Sequence, residues 1–226
     1  MKFKTTYKTL IFLCMTIMHA ASLFANHQSQ PSRVYEEKGA QLMKSASEKL
    51  KSLSSLKIDF TYVMENSTMD IHEKMEGSLV SRGDKYRMHV GDNLFISDGE
   101  TVWSYMEDID EVHINLVENT EGALTPTSLL EEFDTQFRST FIRQEHHGGR
   151  LVDIIDLIPH NAQVFFKYRI AIDPGTNMMS YAIAYDRHGG TYTYTINRVE
   201  INIPIPDSNF SFSAANYPGV EIIDLR

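Results

Sequence analysis

The feature that most constrains the fold is a long succession of short segments in which apolar and polar residues alternate. In the first, Ile58 to Met64, every second residue is large and apolar. A period of two is typical of β-strands that are buried on one face. The same kind of pattern predicts further strands near residues 74–82, 85–90, 93–98, 100–106, 109–117, 137–146, 150–158, 163–172, 178–186 and 191–202.

Tight turns separate these predicted strands. Pairs of glycine and aspartate mark three of the connections, at residues 83–84, 91–92 and 98–99, and such pairs are typical of short hairpin loops. The sequence therefore predicts an antiparallel meander of ten or eleven strands. A sheet with that many strands is expected to curl.

Two segments have helical patterns instead. From Tyr35, apolar residues recur at three- and four-residue steps as far as Leu53, which predicts an amphipathic helix of about five turns. A shorter capped helix is predicted after Pro126, where Thr127 and Ser128 precede an apolar and acidic run.

The N-terminus has the pattern of an export signal. Lys2, Lys4 and Lys8 precede an apolar stretch that ends in small residues, so residues 1–25 are predicted to be a signal peptide that is cleaved after Ala25. An uncleaved membrane anchor is the competing interpretation, although the apolar stretch is short for a span. Cys14 lies within the apolar run and follows Leu13, which disfavours lipidation there. Residues 26–34 are predicted to form a flexible leader, and residues 35–226 a single domain.

Charge and motifs exclude several classes of function. The whole chain has 21 basic and 30 acidic residues; loss of the three signal-peptide lysines leaves 18 against 30, a net charge of −12. That charge argues against nucleic acids and anionic membranes as partners. The sequence has neither a phosphate-binding loop nor a G-x-S-x-G motif, and the predicted mature chain has no cysteine, so no enzyme class is indicated. The histidines, including the adjacent His146 and His147, lack the spacing of zinc ligands.

Large apolar side chains at alternating strand positions are candidates to line the inner face of the curled sheet, opposite the long helix. Two interpretations remain open from periodicity: an ordinary filled core, or a cavity that accepts an apolar guest. The candidate ligand-binding residues are Phe60, Tyr62, Met64, Leu79, Tyr86, Met88, Phe95, Trp103 and Tyr105 on the strands, and Leu42 and Leu50 on the helix. Later strands add Phe165, Tyr168, Met179, Tyr181, Tyr192 and Tyr194 to the predicted inner face.

Several segments, in this order, resemble the outer-membrane lipoprotein carrier family (LolA-like). They are a glycine-led strand with a basic residue at its turn, a Tyr-Arg-Met strand, a hairpin of the D-G-x-x-x-W-x-Y type, and an F-x-F segment followed by a P-G-V ending. In this sequence they are Gly77–Arg82, Tyr86–Met88, Phe95–Tyr105, Asp207–Phe212 and Tyr217–Asp224.

The resemblance implies an α+β, mainly β fold. This fold is an incomplete, half-open antiparallel barrel of about eleven strands, with a long N-terminal helix and short helices as a lid over a hydrophobic cavity. It implies a monomeric periplasmic carrier without a cofactor. The carrier would receive lipoproteins by their acyl chains from an ATP-driven inner-membrane ABC-type transporter and pass them to an outer-membrane acceptor.

The resemblance also implies a role for Arg82, which matches an arginine that latches the lid in the family. Here Gly83 follows it, where the family usually has proline. Three alternatives share the fold: a periplasmic regulator that senses lipids or lipoproteins, a membrane-anchored lipoprotein acceptor, and a carrier of another apolar ligand.

Overall fold

The computed structural model describes residues 31–117, 133–161 and 164–226. The predicted signal peptide, residues 26–30 of the predicted leader and the predicted capped helix as far as residue 132 lie outside these ranges. By their contacts the residues divide into two compact units, Met1–Tyr35 and Glu36–Arg226, and the second unit contains the sheet.

Two α-helices lie in the described ranges. Helix α1, Pro31–Lys51, begins four residues before the predicted start at Tyr35. Proline is well tolerated in the first turn, where its missing N–H would have no helical partner. The helix ends with Lys49 and Lys51 in its last turn, where positive charge interacts favourably with the helix dipole. Helix α2, Phe133–Gln136, is a single turn before the next strand.

The described strands form one sheet of twelve strands. Its order is β12-β6-β5-β4-β3-β2-β1-β11-β10-β9-β8-β7, so β7 and β12 are the edges and the sheet does not close into a barrel. Ten of the strand junctions are antiparallel, whereas β12 pairs with β6 in parallel. The strands are β1 Leu56–Asn66, β2 Ile71–Arg82, β3 Lys85–Val90, β4 Asn93–Ser97, β5 Thr101–Met106, β6 Glu111–Leu116, β7 Phe137–His147, β8 Arg150–Pro159, β9 Phe165–Asp173, β10 Met178–Asp186, β11 Gly190–Ile201 and β12 Glu221–Asp224.

The predicted mainly β, half-open architecture is therefore confirmed. The predicted lid and its short helices rest largely on residues outside the described ranges. The one strand that the sequence pattern did not predict is β12, which is only four residues long and pairs with a strand more than a hundred positions earlier. Three short 3-10 helices, Glu107–Ile109, Asp207–Phe210 and Ala214–Asn216, complete the described secondary structure.

Helix α1 packs on one face of the sheet, which we call the helix face. Met43 and Ala46 are buried against Ile155 and Ile170, in a cluster built mainly from β7 to β10. Gly39 sets the closeness of this contact. A Cβ atom there would lie 2.7 Å from the backbone nitrogen of Phe141 and 2.9 Å from the backbone of Thr140, so only glycine allows the helix to approach strand β7 this closely.

The opposite face, which we call the outer face, carries two further clusters. On β4 to β6, Leu94, Ile96, Tyr105 and Val112 are buried beneath residues of the C-terminal segment, including Tyr217. On β8 to β10 the second cluster consists of Val152, Ile154, Ala171 and Tyr181, with Ile183 packed against it.

Candidate functional site

The helix face of the first half of the sheet carries an apolar cluster that is only partly buried. Leu56, Ile58, Phe60 and Leu79 form its buried base. Around this base lie side chains that are half-buried, and we call the whole set the open apolar cluster. Its half-buried members are Leu50, Leu53, Tyr62, Tyr86, Met88, Val90, Met178, Tyr194 and Ile196.

The register of the sheet explains why these side chains meet. Leu79 lies directly between Ile58 on β1 and Met88 on β3, and Met88 is in turn opposite Phe95 on β4. Directly opposed residues project to the same face, so one continuous apolar row crosses four strands. Gly77 lies opposite Phe60, and a Cβ atom at this position would be 2.3 Å from the Phe60 ring. The glycine that begins the family-like segment therefore makes room for Phe60.

The two halves of the helix face differ in burial. Beneath α1, Ile155, Leu157 and Ile170 have no exposed surface. In the open apolar cluster, only Leu50 and the adjoining Leu53 come from the helical end of the chain. Within the described ranges, α1 covers the second half of the sheet and reaches the first half only at its C-terminal end.

Tyr62 and Tyr194 occupy one end of the open apolar cluster, which we call the tyrosine end, whereas Tyr86 lies at the other end, in register with Leu56 through Ser81. Tyr62 and Tyr194 are direct cross-strand partners with ring centroids 4.9 Å apart, and Phe60 lies 5.7 Å from Tyr194. Burial, together with the nearby Tyr194, Tyr192 and Glu73, raises the pKa of Tyr62 to about 12. Burial also raises the pKa of Tyr86 and of Tyr194. All three side chains are therefore uncharged at neutral pH.

Most of the predicted ligand-binding residues meet at this site. Phe60, Tyr62, Leu79, Tyr86, Met88 and Leu50 belong to the open apolar cluster. By register, Met64 and Phe95 share its face. Leu42 packs elsewhere, in the cluster beneath α1, together with Phe165, Tyr168 and Met179.

Trp103 and Tyr105 are on the opposite side of the sheet from Met88, so the prediction that they share its face is wrong. Phe95 is opposite Ser104, which turns Trp103 and Tyr105 toward the outer face. There Tyr105 packs against Tyr217, with ring centroids 4.6 Å apart. Tyr181 is likewise on the outer face, where its hydroxyl donates to Glu145 at 3.0 Å.

The wrong predictions for β5 and the cluster residues that the sequence did not predict have different causes. Strand β5 is apolar on both faces, so alternation alone does not identify which set faces inward, and an error of one residue exchanges the faces. Val90 follows Met88 by two residues and could have been found from the pattern. Met178 and Ile196 lie beside irregularities in their strands, which interrupt the alternation.

Arg82 ties the β2–β3 turn to the C-terminal segment. Its Nη1 atom donates a hydrogen bond of 2.7 Å to the carbonyl oxygen of Ile205, and its Nη2 atom pairs with the Asp207 carboxylate. The guanidinium also lies 5.3 Å from the ring centroid of the buried Phe210. The predicted latch to a lid stays a prediction, because the described partners of Arg82 belong to the C-terminal segment.

The turn after Arg82 differs from the family pattern for a conformational reason. Gly83 has a φ of +57°, in the left-handed region. Proline is restricted to a φ near −65° and could not adopt this backbone conformation. A proline at position 83 would therefore be incompatible with the turn that this chain forms.

A second concave feature lies along the solvent side of α1. This groove, of about 520 Å³, is lined by Ala40, Gln41, Lys44, Ser47, Glu48, Lys51, Phe133 and Asp134. Four of these lining residues are charged, whereas the open apolar cluster has no charged member.

The described ranges have neither a metal-binding group nor a membrane-spanning helix. No group of three or more His, Cys, Asp or Glu side chains in residues 31–117, 133–161 and 164–226 could hold a metal ion. In the same ranges, no helix is long and apolar enough to cross a membrane.

The fold and the site together define a class of open-sheet proteins. In this class a long helix covers one half of a sheet face, and an apolar cluster on the other half of the same face is left partly exposed. The profile of the family described as "Outer membrane lipoprotein carrier protein LolA" matches residues 51–213. This match covers more than half of the chain, so the chain belongs to the LolA family.

Individual relatives are distant. The chain is 21% identical, over 193 residues, to an outer-membrane lipoprotein carrier protein from Legionella pneumophila (strain Lens), with 84% of this chain and 92% of that protein covered. Its fold is similar to that of an uncharacterized conserved protein from Thermus thermophilus, with a TM-score of 0.59, 7% identity, and 83% and 99% of the two chains covered. A LolA superfamily protein from Nitrosomonas europaea matches with a TM-score of 0.43 and 9% identity, over 77% of this chain and 97% of that one.

Proposed function

We propose that this chain is a periplasmic carrier that holds the acyl chains of lipoproteins against the open apolar cluster. The observation that carries the proposal is the continuous apolar row from Ile58 and Leu79, which are buried, to Met88 and Phe95, which are half-buried. Exposed apolar surface of this kind is costly in water and is typical of a binding site. Methionines suit such a site because their unbranched side chains adapt to varied apolar guests.

The energetics suit a passive carrier. Burying acyl chains is worth about 0.8 kcal/mol per CH₂ relative to water, so the full transfer of three chains amounts to tens of kcal/mol. The free energy of non-covalent binding does not exceed about 20 kcal/mol. A carrier that bound its cargo with the full free energy of transfer from water could not release it. The relevant comparison is with the bilayer, which is equally apolar. Transfer from a membrane to the protein is then close to neutral or uphill, and an external ATPase has to extract the cargo.

The partners follow from this role. The proposed donor is an inner-membrane ABC-type transporter, and the proposed recipient is an acceptor at the outer membrane. Residues 1–25 would direct export as a cleaved signal peptide. Family membership and the predicted signal support this location.

A release experiment with spheroplasts tests the proposal. Purified protein, added in the presence of ATP and the inner-membrane transporter, is expected to bring lipoproteins into the soluble fraction. Met88→Glu is expected to abolish this release, because a carboxylate in the middle of the apolar row repels acyl chains. The measurement is the amount of lipoprotein in the supernatant.

The neighbouring position provides a matched control. His89 precedes Val90 on the same strand but projects to the outer face, opposite Leu94, and is exposed. His89→Glu places the same carboxylate one residue away on the other face, and we expect normal release. Absence of release by the wild-type protein would overturn the carrier role, and normal release by folded Met88→Glu would overturn the assignment of the site. Binding of an apolar dye without lipoprotein release would point to a carrier of another ligand.

A further inference from the structure

At the tyrosine end of the open apolar cluster, two tyrosine hydroxyls form no hydrogen bond with another residue of the described ranges. Tyr192, next to this end, donates its hydroxyl to Asp186 at 3.1 Å. By contrast, no hydrogen bond joins the hydroxyls of Tyr62 or Tyr194 to another residue of the described ranges. Tyrosines with an apolar ring environment normally find a partner for the hydroxyl group, so these two are available donors.

The unpaired hydroxyls keep some accessible surface. In the described ranges, no side-chain nitrogen or oxygen is both fully buried and without a hydrogen-bond partner. The hydroxyls of Tyr62 and Tyr194 are therefore not fully buried, so a bound molecule can contact them. Their rings remain in contact with the apolar base through Phe60.

The charge at this end selects the kind of acceptor. Glu73 lies opposite Met64, on the same face as Tyr62, and is exposed. Asp186 is buried close by and is held by Tyr192. Two carboxylates beside the tyrosines disfavour an anionic head group, such as a free fatty acid or an acidic phospholipid. A neutral carbonyl oxygen can accept the tyrosine protons without this repulsion.

The cluster also has a direction. Leu50, at the end of α1, and Leu53, just after it, pack against the buried base of the cluster. This base begins at Leu56, the first residue of β1. Tyr62 lies six residues further along β1, about 20 Å away at roughly 3.3 Å per residue, and Tyr194 lies opposite it on β11. An acyl chain that lay along β1 would have its apolar end near the leucines and its linkage near Tyr62 and Tyr194.

We propose that Tyr62 and Tyr194 donate hydrogen bonds to the ester or amide carbonyls at the head of the bound acyl chains. The preferred cargo is then a neutral acyl ester or amide, as at an acylated protein terminus, in preference to a fatty acid or an anionic lipid. This inference rests on the proposed function, because it assigns the part of the cargo that the tyrosines recognise.

A pair of synthetic ligands tests the inference. One is a short neutral peptide that carries two octanoyl chains in ester linkage, and the other is its ether-linked octyl analogue, which lacks the carbonyls. We expect wild-type protein to bind the ester ligand roughly tenfold more tightly in calorimetry, since each neutral hydrogen bond contributes about a factor of two to ten. Octanoate, which has the chain but an anionic head, is expected to bind more weakly than either.

The variant Tyr62→Phe/Tyr194→Phe keeps both rings and removes both hydroxyls. It is expected to bind the ether ligand like the wild type and to lose the preference for the ester. Tyr217→Phe, which removes a hydroxyl on the outer face, is the control and should keep the preference. Unchanged ether binding shows that the double variant is folded.

The outcomes separate this inference from the proposed function. Equal binding of ester and ether by the wild type, or a preference that survives in the double variant, would overturn the role of the tyrosines and leave the carrier role standing. Failure of the wild type to bind either ligand would overturn the proposed function itself.

Discussion

Arg82 joins the turn between β2 and β3 to the C-terminal segment. Its guanidinium bonds the Ile205 carbonyl and the Asp207 carboxylate, and it lies beside the ring of Phe210. These partners follow strand β11, in the segment that continues to the outer face. Arg82 therefore stabilises the path of the C-terminal segment.

Replacing Arg82 by leucine is expected to loosen this segment. The change removes one hydrogen bond to a backbone carbonyl and one ion pair, and we expect a loss of about 1–2 kcal/mol in the free energy of unfolding. The amides of residues 205–210 are expected to exchange faster with deuterium, because local opening becomes easier. Hydrogen exchange followed by mass spectrometry measures this effect.

Lys85 provides the control for the Arg82 prediction. Its Nζ atom lies 3.6 Å from the Asp207 carboxylate, and both side chains are well exposed. An exposed pair of this kind contributes little, so Lys85→Met should leave exchange in residues 205–210 nearly unchanged. Equal exchange in Arg82→Leu and wild type would show that Arg82 does not hold the segment.

Helix α1 determines which part of the sheet is covered. Gly39 brings the helix into contact with the backbone of β7, and Lys38 places its Nζ atom 3.4 Å from the centroid of the Phe141 ring. Met43 and Ala46 then fill the space over β8 and β9. With its middle fixed over this half, the helix reaches the open apolar cluster only through Leu50.

Gly39→Ala is expected to weaken this contact. Alanine is the better helix former by about 1 kcal/mol, but its methyl group would meet backbone atoms of β7 that cannot move aside. Overpacking of this kind costs about 1–3 kcal/mol, so we expect a net loss of stability in chemical denaturation. Gln41→Ala, at an exposed position of the same helix, should change stability by no more than about 0.5 kcal/mol. A Gly39→Ala variant as stable as the wild type would contradict the close contact.

The bounds of the strands were predictable from the local sequence pattern, but the pairing and the facing of some strands were not. Strands β3 and β10 have the bounds that alternation predicted, because turns with glycine or aspartate delimit them on both sides. The parallel pairing of β12 with β6 was not predictable, since it depends on the route of the C-terminal segment across the outer face. The facing of β5 also depends on tertiary context, because Val102 and Trp103 are both apolar.

At the scale of the molecule, the sequence indicated a long curled sheet with one helix but left open whether its interior is filled. The structure divides the helix face into a buried half under α1 and a half-buried half on β1 to β4 and β11. This division could not be derived from periodicity, because both halves have the same alternation. It depends on where Gly39 allows the helix to rest.

The proposed carrier role requires the open apolar cluster to contact lipoprotein acyl chains. Photo-crosslinking tests this contact directly in intact cells. A benzoyl-phenylalanine residue replaces Met88 in one strain and His89 in another, and adducts with lipoproteins are measured after irradiation. We expect adducts from position 88, on the helix face, and none from position 89, on the outer face. Adducts from position 89 without any from position 88 would show that acyl chains do not bind at the open apolar cluster.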